Sequence, residues 1–177
     1  MNPNQSKHIF LIGLRGSGKS TLAPLLAQHW SMPWVDMDVI VAHKAGCSIR
    51  DIIQTQGVAA FRELETQILH QLILGPPTVI ATGGGVILSE QNRSLMQQSG
   101  WVIWLHADVA TLWKRIQTDP QSAATRPALG AKQGLEELRE QIQQRLPLYK
   151  ACADLMLDTT RNSHQALIEL IEKHRPS

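Results

Sequence analysis

Short, nearly unbroken apolar runs alternate along the chain with longer segments in which apolar side chains return every three or four positions, a pattern of buried strands separated by helices. The strands are predicted at residues 8–12, 34–37, 78–81, 101–105 and 155–157. Helices are predicted over residues 19–30, 51–56 and 58–74, from a Ser89 cap to about residue 99, from Asp108 to about residue 118, over 135–146 and over 163–174. Pro33 bars continuation of the first helix, and Gly75-Pro76-Pro77 closes the third. Residues 119–134 hold two Pro and two Gly without either periodicity and read as a mobile loop. Strands separated by helices require crossover connections, so the expected class is α/β: a parallel sheet between two helical layers. Ligands of such sheets collect beyond the carboxyl ends of the strands.

Composition narrows this picture without changing it. The 177 residues suit one domain spanning 1–177, and 43% hydrophobic with 18% charged residues excludes a disordered or fibrous chain. A formal charge of +2 argues for neither nucleic acid nor an anionic membrane as partner. No apolar run approaches the ~20 residues that cross a bilayer, and residues 1–7 are polar, with neither a signal core nor a transit pattern, so the cytoplasm is the expected location. Cys47 and Cys152 lie far apart, outside any metal-binding spacing, and read as core-filling thiols. The five tryptophans read as core as well.

The chemistry sits just after the strands. Gly13-Leu14-Arg15-Gly16-Ser17-Gly18-Lys19-Ser20 follows the first strand and opens a helix, in the spacing Gly-x-x-x-x-Gly-Lys-Ser/Thr. Glycines there let backbone amides turn around a phosphate, the helix start adds a positive dipole end, Lys19 suits the β- and γ-phosphates, and the Ser20 hydroxyl suits Mg²⁺. ATP or another nucleotide is therefore the expected ligand, held by Gly16, Ser17, Gly18, Lys19, Ser20 and Thr21. The loop alone names no reaction, since kinases, GTPases and binding modules share it. No guanine-reading Asn-Lys-x-Asp follows, and no acid stands directly after the third strand, where Ala81-Thr82 leads into three glycines. Asp36 and Asp38, placed by strand alternation on one side of the second strand, supply carboxylates instead: Asp36 for Mg²⁺, Asp38 for the proton of an acceptor hydroxyl. Asp38 capping a helix from Val39 is the competing reading. Arg62 and Arg145 have the bidentate shape that grips a carboxylate, or they are surface ion-pair partners. Arg126, in the irregular loop, suits transferring phosphates or has no role at all.

Together these segments resemble the shikimate kinases over nearly the whole chain. The resemblance is densest from Arg62 through Glu65 and Leu69 to Val79-Ile80-Ala81-Thr82-Gly83-Gly84-Gly85-Val86-Ile87. It implies a three-layer P-loop fold of the nucleoside-monophosphate-kinase kind, with a five-stranded parallel sheet of order 2-3-1-4-5. It also implies transfer of the ATP γ-phosphate to the 3-hydroxyl of shikimate, on the route to chorismate and aromatic amino acids. By this likeness Asp38 holds the hydroxyl, Arg62 and Arg145 grip the carboxylate, and the Gly84 amide meets the ring. Lys19 and Arg126 serve the phosphates, Ser20 and Asp36 the Mg²⁺, helices around residues 38–74 bind the substrate, and 119–134 is the lid. Arg115 is placed on the base, and a monomer is expected. The alternatives are a kinase for gluconate or nucleoside monophosphates and a regulatory module without catalysis, neither of which accounts for the stretch from Arg62 to Gly85.

Overall fold

The computed structural model describes residues 7–119 and 131–176. Strand β1 (His8–Ile12) is buried at all five positions, as a continuous apolar run demands of a strand covered on both faces. Ile9 and Leu11 join a core built with α1 (Lys19–Trp30) and α7 (His164–Lys173), whereas Phe10 and Ile12 join a larger core on the opposite face. That larger core is supplied by α2 (Met37–Ala45), α3 (Ile49–Ile73), α4 (Glu90–Ser99), α5 (Val109–Thr118) and α6 (Ala131–Cys152). Between the two cores, β1 pairs in parallel with β3 (Val79–Ala81) and β4 (Gly100–His106), while β2 (Trp34–Asp36) and β5 (Leu155–Asp158) form the edges. The order is β2-β3-β1-β4-β5, as the resemblance implies. β1 is flanked by strands reached in opposite directions, so the crevice beyond its carboxyl end is the switch point where ligands gather.

Several boundaries differ from the sequence reading, and two of the differences move candidate site residues. The second strand stops at Asp36 rather than at Met37, because Asp36 caps α2 by accepting the Asp38 N–H at 2.9 Å. Asp38 therefore stands in the first turn of a helix, and the strand alternation invoked for it does not operate; Met37, fully buried, points into the core. The last long helix does not stop at residue 146 but runs through Pro147 to Cys152, which carries Tyr149 one turn beyond Arg145 on the same face. Residues 51–56 and 58–74 belong to one helix with a break at Gly57 (φ 87°, ψ 166°), so the division between them is a kink. Ser48 and Asp51 cap its start reciprocally.

Of the tryptophans, Trp101 and Trp104 are core, but Trp34 on the edge strand is 45% exposed. Cys152 is buried and Cys47 partly so, both as free thiols, and burial pushes the Cys152 thiol up to about 11. Of the expected lid, residues 119–134, residues 120–130 and with them Arg126 lie outside the described residues, whereas 131–134 are not loop but the first turn of α6. Among the described residues no helix is long and apolar enough to cross a membrane.

Candidate active site

A cleft of about 830 Å³ opens at the carboxyl ends of the strands, lined by residues 15–18 of the loop after β1. Gly18, at φ 96°, occupies the left-handed region as α1 begins, a turn that a side chain would strain. No side chain caps the helix there, so its first amides face the cleft as an anion site. The Lys19 ammonium, 8% exposed, folds back over the loop and donates to the carbonyls of Gly13 at 2.8 Å and Leu14 at 3.0 Å. Ser20 donates its hydroxyl proton to Asp36 Oδ2 at 2.5 Å, bringing together the two oxygen ligands expected for a divalent cation. Because Asp36 spends its other oxygen on capping α2, its carboxylate is fixed from both sides.

On the far side of the loop, Arg115 links two segments distant in sequence. Its guanidinium donates to the Gly16 carbonyl at 3.2 Å, to Thr159 Oγ1 at 3.0 Å and to the Thr159 carbonyl at 2.7 Å. It thereby ties the phosphate loop to the turn after β5, a strut the sequence reading did not foresee. Asp158 within that turn accepts the Thr160 N–H at 2.7 Å, and this hydrogen bond holds its carboxyl below the usual range.

The acceptor-side residues meet at the three glycines, residues 83–85. A Cβ on Gly83 would collide with the Glu65 carboxylate and stand 2.9 Å from Asp38 Oδ1; one on Gly85 would collide with the Arg62 guanidinium. Only a chain without side chains lets three functional groups approach this closely. Arg145 donates to the Gly84 carbonyl at 3.1 Å, and the Tyr149 hydroxyl donates to the same oxygen at 2.8 Å. Asp38, Arg62 and Arg145, drawn from α2, α3 and α6, are thus gathered around one loop, and Asp38 and Gly84 also line the cleft that holds Lys19 and Ser20.

Two participants lack a role in the sequence reading. Glu65, 1% exposed, pairs with Arg62 at 2.7 Å, and the signal was their i,i+3 spacing on one helix. Tyr149 is the chain's one tyrosine, four residues after Arg145; its signal was hidden by ending the helix at Pro147. Burial raises the Tyr149 phenol above its ordinary value, against the pull of Arg145.

A parallel sheet in this order, with a Lys- and Ser-bearing glycine loop after its central strand, defines a P-loop nucleotide-binding protein of the small-molecule kinase class. The sequence profile of the family described as Shikimate kinase matches residues 15–175. The shikimate kinase of Rhodopirellula baltica is 40% identical over 179 residues, covering 100% of this chain and 96% of that one. Shikimate kinase 2 of Salmonella schwarzengrund is 39% identical over 169 residues, covering 96% and 92% of the two chains. A solved shikimate kinase from Acinetobacter baumannii, in complex with shikimate, superposes with a TM-score of 0.87 at 30% identity, over 97% of this chain and 96% of that one. The chain belongs to the shikimate kinase family.

Proposed function

We propose that this protein transfers the γ-phosphate of ATP to the 3-hydroxyl of shikimate, giving shikimate 3-phosphate and ADP on the route to chorismate and aromatic amino acids. The observation that carries the reading is the gathering of Asp38, Arg62 and Arg145 around residues 83–85, at the edge of the cleft floored by the phosphate loop. The A. baumannii relative was solved with shikimate, and the same acceptor suits a site with two guanidinium groups for a carboxylate and one carboxylate for a hydroxyl.

Gly16, Ser17, Gly18, Ser20 and Thr21 offer amides and hydroxyls to the ATP phosphates, and the Lys19 ammonium turns from the Gly13 and Leu14 carbonyls onto the β- and γ-oxygens. Among the described residues no three His, Cys, Asp or Glu side chains gather as a metal cage, yet Ser20 and Asp36 present hard oxygen donors beside the phosphate site. That set fits Mg²⁺, which binds through one or two protein ligands together with substrate phosphates and water. When bound, Mg²⁺ neutralises charge on the phosphate oxygens. Asp38 orients the 3-hydroxyl and accepts its proton as the bond to phosphorus forms, while the Gly84 amide meets the ring. Arg62 and Arg145 grip the carboxylate, which fixes the ring so that only one hydroxyl faces the phosphate. Arg126, assigned from its sequence position, takes charge on the phosphoryl group, and residues 119–134 serve as its lid. We read the whole of 1–177 as one kinase domain acting as a monomer in the cytoplasm, without nucleic acid or membrane as partner.

A coupled ADP-release assay offering shikimate, gluconate and nucleoside monophosphates separately tests this function. ADP release with shikimate alone is expected, and Asp38→Asn should lower kcat at least about a hundredfold with ATP affinity unchanged. Equal release with gluconate would overturn the substrate, and near-normal turnover by Asp38→Asn would remove that residue's role.

A further inference from the structure

Tyr149 does not itself line the cleft but hydrogen-bonds Gly84, which does. Its ring, 2% exposed, stacks on Trp104 at 5.3 Å with 7° between the planes, so its hydroxyl is aimed at the Gly84 carbonyl by a rigid aromatic pair. That carbonyl receives two donors, Tyr149 at 2.8 Å and Arg145 at 3.1 Å, one for each lone pair. The Arg145 charge also pulls against the burial-driven rise in the phenol pKa, so Arg145, Tyr149 and the Gly84 carbonyl stand as a triangle of three neighbouring groups.

The triangle has a consequence for substrate capture. An Arg145 that turns both arms of its fork to a carboxylate draws its NH1 group toward the substrate, and its 3.1 Å bond to the Gly84 oxygen weakens. A half-buried carbonyl stripped of its donor carries a desolvation cost, and three successive glycines have little stiffness of their own to hold the peptide in place. We infer that Tyr149 is a positioning residue for acceptor binding: its hydroxyl keeps hold of the Gly84 carbonyl, so that Arg145 is free to turn to the substrate carboxylate while the glycine loop stays in register. Because the peptide unit is planar, fixing the Gly84 carbonyl also fixes the Gly85 N–H on the opposite side of the same bond. The raised phenol pKa fits this duty, since the group remains a protonated donor throughout the working range of pH. The inference rests on the shikimate reading given above.

Tyr149→Phe keeps the stack on Trp104 and removes only the hydroxyl. The KM for shikimate is expected to rise about fivefold or more, the worth of one neutral hydrogen bond, with kcat and the KM for ATP within about twofold. In an Arg145→Ala background Tyr149 is the one of these two donors left on the Gly84 oxygen, so the same substitution should raise the KM for shikimate at least as much again, and no further rise would contradict the proposed hold on the loop. An unchanged KM for shikimate, or an equal rise in the KM for ATP, would overturn the inference while leaving the function intact. Absence of shikimate-dependent ADP release in the wild-type protein would instead overturn the functional reading, and this inference with it. A readout that does not depend on the variant folding follows from the sequence: growth on 3-fluorotyrosine labels this side chain alone, as the chain has one tyrosine. Its fluorine resonance should move on saturation with shikimate and stay in place with ATP alone; a resonance indifferent to shikimate would contradict the proposed role.

Discussion

Arg62 has observed contacts within the fold and a proposed role toward the acceptor, and its chemistry separates the two. The guanidinium lies over the Phe61 ring, 4.8 Å from its centre, and pairs with Glu65, whose side chain is 1% exposed. Arg62→Ala therefore removes one counter-charge of a buried carboxylate as well as the proposed grip on the acceptor, and weakening the compensation of a buried charge is costly. The variant should lose about 2 kcal/mol or more of stability in urea unfolding. It should also raise the KM for shikimate by more than tenfold while leaving that for ATP alone. The double variant Arg62→Ala, Glu65→Gln should recover most of the stability and none of the affinity. Recovery of both would mean that Arg62 serves the fold only. At this scale residue type and position single out candidate side chains but not their partners. Asp38 and Arg145 were legible from residue type and position, but the pairing of Arg62 with Glu65 and the second donor on Gly84 exist only once α3 and α6 are packed.

Among the elements, residues 83–85 are the part whose conformation the acceptor side cannot do without. Gly85→Ala inserts a methyl group where the Arg62 guanidinium lies, so Arg62 must move or the loop must shift. The first strand, Lys19 and Ser20 are untouched by that collision. The expected result is ATP affinity within about twofold of wild type, with shikimate-dependent turnover reduced at least tenfold. Loss of ATP binding to the same degree would show that the loop supports the whole fold rather than one half of the cleft. Three glycines in a row were visible in the sequence as a loop, and the reason for the first and third was not, because it lies in atoms from α2 and α3. Helix ends were read with mixed success for a similar reason. Gly57 was recognised as a break. At Pro147, however, proline's usual power to end a helix gave way to the packing of Tyr149 and Cys152 in the core. Asp36 ended a strand one residue early by capping α2, which moved Asp38 from strand to helix without removing it from the cleft.

For the molecule as a whole, the layered parallel sheet followed from alternating strand and helix patterns, and its strand order came from family resemblance, since periodicity says nothing about which strands are neighbours. The order matters because it sets the phosphate loop at the end of the central strand. β3, leading into the glycine loop, lies on one side, and β4, leading into the Arg115 helix, lies on the other. On the proposed function one half of the cleft takes the nucleotide and the other the acidic alcohol, and Asp38 lines the cleft together with Lys19, Ser20 and Gly84. The most direct measurement of that arrangement is the position of the new phosphate, read by phosphorus–proton correlation NMR on the product of ATP, Mg²⁺ and shikimate. One equivalent of ester coupled to the proton on carbon 3, formed in step with ADP, is the predicted result; phosphate on another hydroxyl, or ADP formed with no phosphate ester at all, would contradict it.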